Sequence, residues 1–291
     1  MSIEHIISRE DFAKTYPEGL ENYKDYEQAR LLGKSGISAE KIAKALGRHP
    51  MTIRQWLYKG LKPRCIRGLE SICGIIPLSK TSKKVVPIHR LYSWAFWTGS
   101  VAKNHTITIS SRKENLDMLK QYFKRTLNLT GRITKNAQYD NSYTLTFGKL
   151  GKPFGRILQC LEYPTEARKS EHELSVPETI QQTAQLRNEF IRVLFNTRVK
   201  QTTNNYWTIH LITTRYLGTA RNFGKQTVEL IQEAFPLAQL NEKSLHITPA
   251  RGDKYLPTIK LRREQLARLA THYSEQFVFS PREINYYERK N

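Results

Sequence analysis

Two stretches of the chain, His89–Leu127 and Ser175–Thr214, spell out the same succession of elements about a hundred residues apart. In the later one, SVPETIQQTAQLRNEFIRVLFNTRVKQTTNNYWTIHLITT, Val176-Pro177-Glu178 opens a helix, with proline near the first position, where its missing N–H leaves nothing unpaired. A helix over Leu186–Thr197 follows, with Leu186, Phe190, Val193, Leu194 and Phe195 on its apolar side. A polar hairpin leads into a strand, Trp207–Thr214, where Trp207, Ile209 and Leu211 alternate with Thr208 and His210. The earlier copy has a helix at Leu91–Thr98, then Gly99-Ser100-Val101, then a strand, Thr106–Ser111, alternating Ile107 and Ile109 with Thr106, Thr108 and Ser110. An internal repeat of this kind requires two like units that bury their apolar faces together.

Each copy continues alike. The first adds an amphipathic helix on Leu116, Leu119, Tyr122, Phe123 and Leu127, strands Gly131–Lys135 and Ser142–Gly148, and a helix Lys152–Glu162. The second adds a long helix, Leu217–Ala234, strands near Ser244–Thr248 and Pro257–Leu261, and a closing helix, Arg263–Phe277.

The words VPETI…FIRVLFNTRV, set before a hairpin, resemble the LAGLIDADG homing-endonuclease family, where a sequence of the type FLRGLFDTDG ends the central helix on a metal-binding carboxylate. The resemblance covers roughly Pro87–Phe279 and departs from the family at the catalytic position. Phe195-Asn196-Thr197-Arg198-Val199 puts Arg198 where the carboxylate belongs and Val199 where the glycine belongs; the first copy keeps Gly99 but has Thr98 in place of the acid. A guanidinium offers only donors and a positive charge, so it repels a divalent cation. Glu114 and Asp117 are the nearest other acids, and they begin a helix, where acids ordinarily complement the dipole. No catalytic residue, metal or cofactor is therefore expected.

The resemblance implies an α+β fold: an N-terminal all-α helix-turn-helix domain, then two αββαββα repeats whose curved antiparallel sheets form a pseudo-twofold saddle on duplex DNA. With Ile107, Ile109, Ile209 and Leu211 under the helices, alternation leaves Thr106, Thr108, Ser110, Thr208 and His210 on the concave side. By the same phase Arg132, Thr134, Asn136, Thr144 and Thr146 join from the first repeat, and His246, Thr258 and Lys260 from the second. These are groove-reading side-chain types, although threonine is also a common residue of any strand's wet face. Ser93 and Val193 suit the close approach of the two motif helices, while Trp94, Phe96 and Trp97 are bulky and fill core.

Charge extends the same picture. Lys and Arg number 47 against 26 Asp and Glu, a net +21, a field that attracts polyanions. Residues 28–80 and 81–165 hold most of it, at +9 and +10, whereas residues 1–27 are net −4. Within the first basic segment, helices are predicted at Tyr26–Lys34, with Ala29, Leu31 and Leu32 apolar, at Ala39–Leu46 between Ser38 and Gly47, and at Met51–Tyr58 after His49-Pro50. GISAEKIAKALGRHPMTIRQWL resembles a microbial helix-turn-helix pattern in which Ile42, Ala43 and Leu46 pack on Ile53 and Trp56. Thr52, Arg54, Gln55, Tyr58 and Lys59 then point outward as candidate DNA contacts.

Arg64–Ile76 reads as a further helix, with Cys65, Leu69, Ile72 and Cys73 on one side, and the basic stretch 78–87 as a linker. The expected domains are thus 1–77, with the helix-turn-helix at about 26–62, repeats at 88–165 and 175–280, and a tail at 281–291. Cys65, Cys73 and Cys160 show no CxxC spacing, and no apolar run reaches membrane-spanning length, so a soluble, cytoplasmic (nucleoid) protein without membrane contact is expected. One chain suffices for the saddle, and the helix-turn-helix leaves dimerisation on a palindrome open.

Together these features favour a sequence-specific double-stranded DNA-binding protein that does not cut, a transcriptional regulator or nucleoid-organising factor. Its plan is similar to that of the sporulation regulators of actinobacteria, which carry their helix-turn-helix at the other end. The alternatives are a divergent homing endonuclease with relocated acids, and an RNA maturase; a recognition helix disfavours the latter, because the A-form major groove is too deep and narrow to admit it.

Overall fold

The computed structural model describes residues 5–72, 74–136, 142–164, 174–181, 183–201, 207–250, 252–262 and 264–265. Its N-terminal module runs β1 (His5–Ile7), α1 (Arg9–Lys14), α2 (Gly19–Lys34), α3 (Ala39–Leu46), α4 (Pro50–Tyr58), α5 (Arg64–Ser71) and β2 (Leu78–Ser79), with β1 antiparallel to β2. Local signals set the ends of α3 and α4. Ser38 Oγ accepts from the Lys41 N–H, Gly47 closes α3 at φ 62°, and His49 Nδ1 accepts from the Met51 N–H ahead of Pro50. Ala29, Ala39, Ile42, Ala43 and Ile53 form the module's small core, with Leu32, Leu46, Trp56 and Leu57 packed against it.

Several boundaries differ from the periodicity. The second helix starts at Gly19 rather than Tyr26, because that polar opening turn is held by tertiary packing: a Cβ at Gly19 would meet the Ala13 carbonyl oxygen at 2.0 Å. Leu31, expected to be apolar, is 65 % exposed. α5 stops at Ser71, and Ile72, Ile75 and Ile76 turn into the main core; Cys73 lies outside the described residues. The expected linker, 78–87, instead holds β2 and the first turn of the next helix, since Leu78, Val85 and Ile88 are all buried.

The first repeat is α6 (Val85–Thr98), β3 (Gly99–Val101), β4 (Ile107–Ser111), α7 (Lys113–Leu127), β5 (Arg132–Lys135), β6 (Tyr143–Phe147) and α8 (Lys152–Cys160). α6 begins at Val85 rather than Leu91, with Pro87 tolerated in its first turn, where no intrahelical N–H bond is lost. The second repeat is α9 (Glu178–Gln181), α10 (Ala184–Arg198), β7 (Val199–Gln201), β8 (Trp207–His210), α11 (Leu217–Ala234), β9 (Leu245–Ala250) and β10 (Lys254–Leu261). All of the expected closing helix except Glu264 and Gln265, and the whole 281–291 tail, lie outside the described residues.

Both repeats form a four-stranded antiparallel sheet, in the orders β3-β4-β6-β5 and β7-β8-β10-β9. Their registers coincide at an offset of one hundred residue numbers: Gly99 faces Ile109 and Val199 faces Ile209. The architecture is therefore α+β with two equivalent αββαββ units.

α6 and α10 pack together as the centre of one core that extends from Ile7 and Phe12 to Leu261. Ser93 and Val193, both buried, sit at the approach. Trp97 is fully buried beside them. Its Nε1 donates to the Phe190 carbonyl of α10 at 3.2 Å, and its ring lies 4.9 Å from that of Phe190. Further along the same pair, Glu189 accepts from Arg90 at 2.5 and 3.1 Å and from Arg192 at 2.7 and 2.6 Å, while the Arg90 guanidinium lies over the Tyr122 ring. His89 is fully buried, without a hydrogen-bond partner among the described residues. Burial lowers its pKa to about 4, partly opposed by the nearby Glu189 charge.

Two outcomes are expected from this centre. Trp97→Ala should cost about 3–5 kcal/mol in denaturant unfolding, through the emptied volume and the lost hydrogen bond from the indole to Phe190. For His89, the unfolded chain binds a proton near pH 6.5 and the folded chain only near 4, so this contribution to stability is complete above 6.5 and drains as pH falls toward 4. About 2 kcal/mol should disappear between pH 7 and pH 5, and urea titrations of His89→Leu should lack that loss.

Candidate nucleic-acid interface

The strand registers gather the predicted sheet residues into rows. In the first repeat, Ser100, Thr108, Thr146 and Arg132 lie side by side across all four strands, and Ser110, Thr144 and Thr134 form the next row. The rows are tied laterally by Ser100 Oγ to Thr108 Oγ1 at 2.8 Å and Ser110 Oγ to Thr144 Oγ1 at 3.3 Å. Arg132 and Thr134 are exposed, and Asn136 continues β5 by donating its N–H to Ser142. Thr106 sits just before β4, at the end of the turn that His105 makes at φ 63°; its N–H donates to Asn104 Oδ1. Ser100 is not evident from strand alternation alone, because β3 is only three residues long.

In the second repeat the corresponding rows are Lys200, Thr208, Lys260 and His210, Thr258, His246. Lys260 is exposed, whereas Thr208 and Thr258 are only 5 % and 7 % exposed. The wet surface expected of those two threonines is thus corrected: each is a short side chain on a central strand and is buried. Burial and the Lys260 charge both lower the His246 pKa.

At the junction of helices and sheets stand the two degenerate positions. Thr98 Oγ1 donates to its own helix at the Trp94 carbonyl, 3.1 Å away. Arg198 reaches across the helix pair and donates through a terminal nitrogen to the Trp97 carbonyl. Trp97 lies in the last turn of α6, where carbonyls lack intrahelical partners and the helix dipole is negative, so a cation is well placed there. Burial draws the Arg198 pKa below its ordinary value, and its Nε is buried without a partner among the described residues. A threonine hydroxyl already engaged and a guanidinium in the cleft do not fit a divalent cation. Among the described residues, no group of three or more His, Cys, Asp or Glu could hold a metal ion, and Glu114 and Asp117 are exposed on α7.

On the N-terminal module, Tyr58 is 70 % exposed, Thr52 and Gln55 are half-buried, and Lys59 follows α4 as its exposed cap. Arg54 is engaged with Glu40 of α3, but both side chains are about half exposed, so the pair is weak and exchangeable. Arg48, by contrast, anchors α3 to α2 through Asp25 at 2.6 Å and Glu21 at 2.9 Å. No helix among the described residues is long and apolar enough to cross a membrane.

Arg198→Met should cost about 1–3 kcal/mol, because the Trp97 carbonyl loses its donor. Thr98→Ala should change stability by well under that in the same chemical-denaturation assay, since the hydroxyl bonds within one helix.

No family model matches the chain, and no curated protein does. Solved structures to which it is similar include the N-terminal LAGLIDADG domain of DUF199/WhiA, at 14 % identity and a TM-score of 0.41, over 75 % of this chain and 93 % of that one. Full-length DUF199/WhiA from Thermatoga maritima gives 14 % and 0.38, over 72 % and 67 %. The homing endonuclease I-DmoI in complex with DNA and Mn gives 15 % and 0.34, over 62 % of this chain and 94 % of that one. The structural neighbours of this chain are thus LAGLIDADG homing endonucleases and WhiA.

Proposed function

We propose that this protein is a degenerate LAGLIDADG-like DNA-binding protein, one that reads double-stranded DNA by sequence, does not cut it, and serves as a transcriptional regulator. The observation that carries the reading is Arg198. The position where the resemblance expects a metal-binding acid is filled by a guanidinium tied to the Trp97 carbonyl of the neighbouring helix, while the strands around it keep rows of Thr, Ser, His, Lys and Arg side chains. Such rows offer donors and acceptors to base edges, and the basic ones offer charge to phosphates. α3 and α4 would act as a helix-turn-helix, with Thr52, Gln55 and Tyr58 toward a major groove and Arg54 exchanging Glu40 for a phosphate or a guanine. The net charge of +21 supplies the long-range attraction.

The test is selection from random duplex DNA without metal, followed by addition of Mg²⁺ to the bound pool. An enriched, uncut site of about 15–25 base pairs is the expected result. The slope of log K against log salt should be on the order of −5 or steeper, as release of counterions by many Lys and Arg contacts requires. Mg²⁺-dependent strand breaks abolished by EDTA would instead establish an endonuclease with relocated acids, and a flat salt plot would remove DNA as the partner.

A further inference from the structure

Between the N-terminal module and the first repeat lies a cleft of about 830 Å³ that none of the sheet or helix-turn-helix residues enters. One wall is α5, with Arg64 and Arg67. The other is the β3–β4 turn and the start of α8, with Lys103, Lys149, Lys152 and Arg156. No Asp or Glu is among the described residues that line it. Arg64, Arg67, Lys149, Lys152 and Arg156 thus face one another across the cleft, and their mutual repulsion favours an anion between them.

The floor is rigid. Arg156 lies 3.6 Å over the Tyr16 ring and donates to the Thr15 carbonyl, Gly68 admits the Tyr16 hydroxyl where a Cβ would stand 2.0 Å from it, and Cys160 Sγ contacts the Asp11 carbonyl at 3.5 Å. These contacts fix the module against the repeat, so the spacing of the two basic walls is set by packing. Arg64, Arg67, Lys103, Lys149 and Lys152 are exposed rather than sunk in a closed pocket. That spread suits a phosphate chain passing through the cleft better than a small phosphorylated molecule, which would need converging, buried donors. The β3–β4 turn that carries Lys103 also ends the strands that present Ser100 and Thr108.

We infer that this cleft carries the phosphate backbone of a duplex from the sheet face to the N-terminal helices, so that the two modules occupy one continuous site. The inference rests on the DNA-binding reading above, and it adds that the junction itself touches the duplex.

The test uses the full chain, its selected duplex extended by about ten base pairs at either end, and the variant Arg67→Gln/Lys149→Gln/Lys152→Gln, whose three side chains are exposed. Circular dichroism and thermal melting check that the variant folds. The expected result is a Kd about ten- to a hundred-fold weaker, with a salt slope shallower by about 2–3, near 0.9 for each phosphate no longer neutralised. Hydroxyl-radical footprints should show one uninterrupted protected tract for the wild type, and a gap at its middle for the variant. Wild-type binding with an unchanged Kd and slope in the variant overturns the inference and leaves the DNA-binding reading standing. So does a wild-type footprint of two blocks with open backbone between them, or pyrophosphate binding abolished in a variant whose DNA affinity is intact. Absence of any duplex binding by the wild type overturns both.

Discussion

The Trp97 indole, closed between two helices, is the constraint on which the other features depend. It fills the α6–α10 approach with more volume than a small-residue contact would need, and it is held there by a single directed bond to the Phe190 carbonyl. An indole in such a place fixes both the separation of the helices and their rotation, because only one orientation satisfies its N–H. Each sheet leaves directly from the C-terminal end of one helix, so the relative position of the two sheets follows from that contact. The buried Arg90–Glu189–Arg192 cluster acts in the same direction from further along the pair: an acid between two guanidiniums tolerates little sliding, and removing any member strands charge in the core.

Arg198 shows how a helix end can be satisfied without an acid or a metal ion. Two helix C-termini meeting at close range concentrate partial negative charge and carbonyls without partners. A divalent ion between carboxylates is one way to neutralise such a junction. A guanidinium from one helix on the last turn of the other is a second, and it needs nothing from solution. Arg198 thus gives the junction a donor and a positive charge within the two packed helices.

Much of this was legible in the sequence because it rested on local rules. The alternation of Ile107 and Ile109 with threonines placed β4 and its exposed face. Ser38, Gly47 and His49-Pro50 bounded α3 and α4 to within a residue, and the hundred-residue offset matched the first strand pair of one sheet to that of the other. What was not legible depended on neighbours remote in sequence. Val85 and Ile88 look like the end of a basic linker until the core behind them is known, and Leu31 looks apolar until its side of α2 is seen to face outward. Thr208 and Thr258 obey the strand phase yet are buried on central strands of the sheet, which a single strand cannot reveal. The basic cleft was invisible for the same reason: α5 and α8 contribute its cations from positions some ninety residues apart.

Gly99 and Val199 occupy matching positions, but they are not equivalent. A Cβ on Gly99 would lie 1.9 Å from the Thr108 carbonyl oxygen, so β3 approaches β4 more tightly than a side chain allows, while β7 accommodates valine at the same register. Their next residues differ too, Ser100 against Lys200, as do Thr134 on β5 and His246 on β9. The two halves of the face differ in strand approach at the junction and in the residue types along the rows. The face therefore has a direction built into it, like an arrow rather than a bar: turned end for end, it does not coincide with itself.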